Sequence, residues 1–372
     1  MKIVLAIPYN PLEEIGGLEI STLRLADSLK NLGQDVRILT KGKSGSVNGI
    51  PIEGQKDMAA VCEWLVKNNR QIDVVSWMEI FPERGEAGMQ CAVSETLRRF
   101  GKKTFLTIAT LGNLEKRGGE EHIRRLIRQE MDGYVAMSRG QIKEFSDYGI
   151  EENVFPIGFG VDTNNIYRPV SADEKKALRK KLGLPKDAVL FLFIGRLVER
   201  KKPDFLLKTW RDLSDVHSGS HLVMIGSGFG QHDSIESKVI ELASGCKNLI
   251  RREMDFALDP KEYYQACDVF VITSEREGMP NVTMEAMACG TSIIASDIPG
   301  IDELIESGIN GLVFPISDGR ALSQAIRRLA FNEKLRVRLG SAARATVVER
   351  KDVLLVARQY INMFESQRGE KR

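Results

Sequence analysis

Residues 189–194 read VLFLFI, six apolar side chains without a break. A strand with that sequence has no face to give to water. It must be buried on both sides, the condition of a parallel sheet covered by helices. The same logic runs through the whole chain, where apolar, β-rich stretches alternate with amphipathic helical patterns. That alternation builds parallel sheets with helices on both faces. The first series is KIVLAIP, a helix over about residues 18–31, DVRILT, a helix ending before Asn68, then DVVSW, KTFLTI, GYVAM and NVFPI. The series then starts again. AVLFLFIGRL is a strand, PDFLLKTWRDL a helix, and HLVMIGSG and DVFVITS are strands. SIIAS and GLVF follow, each trailed by a helix. One open sheet rarely holds so many strands. A chain of 372 residues has room for two or three domains. The division falls near YRPVSAD, residues 167–173, where a proline interrupts a polar stretch. The expected fold is therefore α/β, with two Rossmann-like doubly wound domains over residues 1–168 and 169–349. The tail RKDVLLVARQYINMFESQ reads as one more amphipathic helix.

Charge and composition exclude several function classes. The formal net charge is only +2, whereas a dedicated nucleic-acid binder carries a strong basic excess. No run approaches the roughly 18 apolar residues of a membrane span. MKIVLAIPYN is too short for a signal peptide and reads as a first strand. Five scattered cysteines form no CxxC pair, which suits a reduced, cytoplasmic compartment. Four histidines without ligand spacing give no reason to expect a metal.

The chemistry-bearing segments sit where strands give way to helices. EREGMPNVTMEAMACG, residues 275–290, follows DVFVITS and carries Glu277 and Glu285 eight positions apart. Pro280 marks a helix start, because proline's missing N–H has no partner in a first turn. Ligands of doubly wound sheets collect at the carboxyl ends of strands. Helix tips there offer unpaired N–H groups and partial positive charge, a setting suited to phosphate. Glu277 falls in the loop and Glu285 one turn inside the helix, where a carboxylate can accept two hydroxyl hydrogen bonds. A carboxylate facing bare phosphate would repel it, so the pair suggests a ligand with both phosphate and sugar. The residues alone leave a second reading open, in which both acids simply favour the helix dipole.

GRLVERKKPDF, residues 195–205, leaves the strand VLFLFI. Arg196 and Lys201 would stand at the same crevice and neutralise a diphosphate, the arginine gripping two oxygens and the lysine acting as a point charge. Arg200 and Lys202 read as solvated loop. Gly16 and Gly17 would let backbone approach a ligand closely and open a helix; a plain loop explains them equally simply. IGSGFG fails the dinucleotide spacing, because residue 231 is glutamine and the last glycine comes one place early. Gly226 is read there as part of a glycine-lined wall near a nucleotide. Met284, Met287 and Cys289 read as core.

Taken in order, GRLVERKK, IGSG, SEREGMPNVTMEAMACGTSIIASDIPGIDELI and GINGLVF closely resemble the retaining nucleotide-sugar glycosyltransferases of family four. VAMSRGQIKEF and VFPIGFGVDTNNIYRP resemble that family's approach to its domain junction. The resemblance covers nearly the whole chain and is strongest from about Gly195 to Phe314. It implies the GT-B fold, two Rossmann-like domains facing across a cleft. The first would bind the acceptor and the second the nucleotide sugar, and the final helix (350–372) would cross back to complete the first. It also implies roles for residues. Arg196 and Lys201 match the diphosphate-contacting pair, Glu285 the glutamate that holds the ribose, and Glu277 the one near the transferred sugar. Backbone N–H groups of Gly278, Met279, Pro280's neighbour Asn281 and the turn they form would meet sugar hydroxyls or phosphate. Gly16 and Gly17 match the first-domain turn that meets the phosphate. Such enzymes need no cofactor and no metal, since the basic pair and the helix dipole stand in for one. The donor would be a UDP- or GDP-sugar.

One position departs from the pattern. Where the family often has a histidine after a strand, LTIATLGN places Ala109. Neither His122 nor Glu79 can be promoted to replace it on sequence alone, and the donor sugar stays open. A non-catalytic sugar-nucleotide-binding partner subunit is therefore kept as an alternative, beside a nucleotide-sugar epimerase of the same architecture. The acceptor is a glycan, a lipid-linked or a small molecule. RRFGKK (98–103) and EKRGGEEHIRRLIRQE (115–130) could draw the chain to an anionic inner membrane face. Solvated helix faces are the favoured reading, since Glu120, Glu121 and Glu130 dilute the second segment.

Overall fold

The computed structural model describes residues 1–13, 16–83, 85–108, 131–228, 233–254 and 260–366. Ala109, His122, the segment 115–130 and the end of the IGSGFG run, with Gln231, lie outside the described residues. The chain forms two compact units, Met1–Gly160 with Val353–Arg372, and Val161–Asp352.

The first unit is built on eight strands: β1 (Lys2–Ala6), β2 (Asp35–Lys41), β3 (Gly45–Val47), β4 (Ile50–Gln55), β5 (Val74–Trp77), β6 (Lys103–Ile108), β7 (Gly133–Ala136) and β8 (Val154–Phe155). Their order across the sheet is β3-β4-β2-β1-β5-β6-β7-β8. All neighbours pair in parallel except β3 and β4. That hairpin turns through Asn48 and Gly49, both with positive φ, the chemistry of a two-residue turn whose twist matches its strands.

The second unit is built on β9 (Val189–Ile194), β10 (Ser220–Ile225), β11 (Leu249–Arg252), β12 (Val269–Ile272), β13 (Ser292–Ser296) and β14 (Leu312–Phe314). The order is β11-β10-β9-β12-β13-β14, and every pair is parallel. β9 is the central strand with two buried faces that its sequence demands. Phe191 and Phe193 pack with Leu206, Trp210 and Met224 on one side. Leu190, Leu192 and Ile194 pack with Tyr264, Met284 and Met287 on the other. Met284, Met287 and Cys289 are core residues, as read from the sequence.

The boundaries differ from the polar stretch that suggested them. The chain enters the second unit at Val161, eight residues before the division at 168/169. Val161 donates its N–H to the Lys351 carbonyl at 2.9 Å. Thr163 and Asn164 donate to the Asp352 carboxylate at 2.5 and 3.3 Å. Tyr167 is buried against Tyr264. These long-range contacts bind 161–168 to the second unit, and local polarity does not reveal them. The tail also divides. The Glu333–Lys351 helix ends at Asp352, whose ψ of 135° breaks it, and a separate helix, Val353–Glu365, belongs to the first unit. There Phe364 meets Phe105 with ring centroids 5.1 Å apart. Lys103 donates its ammonium to the Phe364 and Ser366 carbonyls at 2.7 and 2.9 Å. Within RRFGKK, then, Lys103 ties down the tail, and Arg99 pairs with Glu95 on its own helix. Among the described residues, no helix is long and apolar enough to cross a membrane.

Candidate functional site

In the second sheet the strand order reverses direction between β9 and β12, which pair in parallel through Phe191 with Val269 and Leu192 with Phe270. A doubly wound sheet opens a crevice at such a switch, at the carboxyl ends of its strands. The segment after β9 carries Gly195, Arg196 and a short 3₁₀ turn, Glu199–Lys201. The segment after β12 carries Thr273 to Pro280 and leads into the helix Asn281–Ala288.

Two staples bind these segments together. The Thr273 hydroxyl donates to the carbonyls of Lys201 and Lys202 at 2.9 and 3.1 Å. The Glu275 N–H donates to the Arg200 carbonyl at 2.9 Å. With the backbones fixed, the charged side chains converge. The Lys201 ammonium donates to Glu277 Oε1 in a short contact. The Ser274 hydroxyl donates to the same oxygen at 2.5 Å, and an Arg200 nitrogen lies 3.6 Å from Glu277 Oε2. The side chain of Glu277 is only 8% exposed and that of Lys201 15%. Burial opposes ionisation of Glu277, but the Lys201 charge, the hydrogen bonds from Lys201 and Ser274, and the Arg200 charge outweigh it. They hold the carboxyl below its usual range. Lys201 is pushed down by burial, Glu277 offsets part of that, and the guanidiniums of Arg200 and Arg196 add to it. Two cationic groups, Lys201 and Arg200, thus gather around one carboxylate at the end of the sheet.

Arg200 is therefore not the solvated loop residue that sequence suggests. Lys202 is not either: it pairs with Glu275 at 2.8 Å and takes a left-handed conformation, φ +51°, just before Pro203 opens the next helix. Arg196 stands exposed at the start of the same segment. Gly226, at the end of β10, packs against the neighbouring segment so closely that an added Cβ would lie 2.2 Å from the Gly195 carbonyl oxygen.

Pro280 is the residue before the helix, with an extended backbone, and no side chain caps it. Gly278 and Met279 lead into it half-buried. Gly300, with φ +87°, backs this turn, and a Cβ there would sit 2.7 Å from the Gly278 carbonyl oxygen. Asn281 opens the helix. Glu285 lies inside it and is 6% exposed. Behind it stands the buried Tyr264, whose phenol is pushed well above its ordinary value by burial and by the Glu285 charge. The second unit thus holds Arg196, Lys201, Gly226, Glu277, Gly278, Met279, Pro280, Asn281 and Glu285. Gly16 and Gly17 belong to the first unit. There Gly16 is extended and Gly17 opens the helix Gly17–Asn31. A Cβ on Gly16 would meet the Glu19 carboxylate at 2.5 Å, so glycine leaves room for that carboxylate at the helix start. Glu79 is buried after β5, its carboxylate accepting from the Ile80 N–H at 2.9 Å.

Sequence reasoning missed Ser274, Thr273, Arg200 and Gly300. Ser274 and Thr273 close an apolar strand, so their polarity at its carboxyl end was the available signal. Gly300 carried only a weak one, a proline-glycine pair in SDIPG.

Residues 174–346 match the family described as Glycosyl transferases group 1. A D-inositol 3-phosphate glycosyltransferase of Xylanimonas cellulosilytica is 26% identical over 92% of this chain and 91% of the relative. A protein of the same name from Streptomyces bingchenggensis is 31% identical over 48% of this chain; that match spans 41% of the relative, less than half its length. Among solved structures, Anabaena Alr3699/HepE in complex with UDP-glucose superposes with a TM-score of 0.82 at 18% identity, over 99% of this chain and 100% of that one.

Proposed function

We propose that this chain, a glycosyltransferase of GT-B fold whose residues 174–346 match the glycosyl transferases group 1, is a retaining hexosyltransferase using a UDP- or GDP-sugar without a metal. The observation that carries this reading is the cluster at the β9/β12 switch, where Lys201 and Glu277 meet beside an uncapped helix start. Lys201 would exchange its contact with Glu277 for the donor's diphosphate. Arg196 would join it there, and the first amides of the Asn281–Ala288 helix would add partial positive charge. Together they stabilise the charge that grows on the departing nucleotide diphosphate, the main electrostatic demand of the step. Breaking the bond between the anomeric carbon and the diphosphate oxygen leaves oxocarbenium character on the sugar. The acceptor hydroxyl attacks from the face of the leaving group and passes its proton to the departing diphosphate oxygen, so configuration is retained. Glu285 would hold the ribose hydroxyls, Glu277 and the Gly278–Asn281 turn the transferred sugar, and Gly226 would wall the nucleotide. The first unit, which holds Gly16 and Gly17, would take the acceptor.

The names of the relatives make D-inositol 3-phosphate the first acceptor to try, ahead of lipid-linked and glycan acceptors. The testing experiment is a thermal-shift screen against UDP-, GDP- and ADP-sugars, followed by mass spectrometry of products formed with D-inositol 3-phosphate in the presence of EDTA. A donor that raises the melting temperature and is consumed with EDTA present supports the reading. No shift with any nucleotide sugar contradicts it.

A further inference from the structure

Glu277 is held from two sides. Lys201 and Ser274 share Oε1, while Arg200 faces Oε2 at 3.6 Å. Arg200 is not free to wander, since its carbonyl accepts from the Glu275 N–H and the two residues after it are stapled by Thr273. Its side chain is 28% exposed. On the reading above, Lys201 turns to an arriving diphosphate, and Glu277 loses its nearest cation at a site almost closed to water. A carboxylate left alone there is strongly disfavoured. We propose that Arg200 is a positioning residue that takes over Glu277 when Lys201 engages the donor, holding that carboxylate in the geometry the transferred sugar requires. The two cations then divide the work: Lys201 serves the leaving group, and Arg200 serves Glu277.

The charged groups around Glu277 are Lys201 and Arg200 from the turn after β9, with Arg196 beside Lys201. Lys202 is turned to Glu275, and Glu285, in the helix that follows, acts on Tyr264. Arg200 is thus the cation that remains at Oε2 once Lys201 has moved. Its removal should let Glu277 take up a proton at higher pH, so the acid limb of turnover moves upward.

The inference rests on the nucleotide-sugar reading, and one set of measurements separates the two. UDP and GDP affinity are measured by calorimetry, and release of whichever nucleotide binds from its glucose and mannose conjugates by a coupled assay, for wild type, Arg200→Gln and Arg200→Lys, with melting temperatures as a check on folding. Arg200→Gln should keep affinity for that nucleotide within about twofold of wild type. Its turnover should fall roughly tenfold or more, with the acid limb shifted up by about one pH unit. Arg200→Lys should recover most of both. Wild-type turnover and pH profile in Arg200→Gln overturn the inference. So does a loss confined to nucleotide affinity, which would make Arg200 a phosphate ligand instead. A wild-type protein that binds neither UDP nor GDP fails the underlying reading, and the inference falls with it.

Discussion

Glu277 is stable as a buried carboxylate only while it is charged and paired. Its carboxyl is held below the ordinary value of 4.5. A depressed acid adds stability that is fully present above its unfolded value and is lost as pH falls through the folded one. Wild type should therefore out-melt Glu277→Gln above pH of about 4.5, and the gap should close as pH drops below it. Melting curves of both proteins from neutral to acid pH check this; a gap that does not depend on pH contradicts it. Glu285 makes a separate prediction. Glu285→Ala should weaken nucleotide-sugar binding by roughly tenfold through lost ribose hydrogen bonds, and unchanged affinity in calorimetry would remove it from the site. Both glutamates stand out as candidates in the sequence because the EGMPNVTMEA pattern is dense and local. Arg200 and Ser274 were not, because nothing local distinguishes an arginine in an exposed loop from one aimed at a carboxylate 77 positions later.

At the scale of elements, the turn that leads into the Asn281–Ala288 helix is shaped from behind by Gly300. An added Cβ would press on the Gly278 carbonyl from 2.7 Å, at a φ of +87° that side chains rarely adopt. Gly300→Ala should cost about 1–3 kcal/mol of stability and, on the proposed function, also weaken donor binding, because the displaced carbonyl belongs to the turn proposed to meet the donor. Calorimetry beside a melting curve separates these effects. A variant that loses stability and keeps full donor affinity would show that the contact is structural alone. Most elements were readable from the sequence, since VLFLFI, SIIAS and DVFVITS admit few other fates. The β3–β4 hairpin and β11 were not singled out. β3 has only three residues, β4 reads IPIEGQ with a proline and a glycine inside it, and LIRR in β11 is half-buried rather than continuously apolar, so neither period nor composition marks them as strands.

At the scale of the whole molecule, the chain is two parallel-sheet units, with its last helix assigned to the first. That helix buries Val356, Ala357, Tyr360, Met363 and Phe364. Phe364→Ala should cost about 3–5 kcal/mol, and hydrogen exchange should show the loss in the first unit's strands. Faster exchange confined to β9 through β14 would contradict the assignment. The division into two repeats of strand and helix was evident from the restart at AVLFLFIGRL. Its exact border was not, because it depends on Arg344, whose guanidinium donates to the Thr163 carbonyl at 3.2 Å, a partner far away in sequence. The proposed sugar transfer requires that the second unit grip a nucleotide diphosphate through Lys201. The most direct test is calorimetric titration of wild type and Lys201→Ala with UDP and GDP, with melting temperatures to show both are folded. Wild type should bind one of the two nucleotides, and Lys201→Ala should bind it at least about tenfold more weakly; equal affinity in the two proteins, or no binding by wild type, would contradict it.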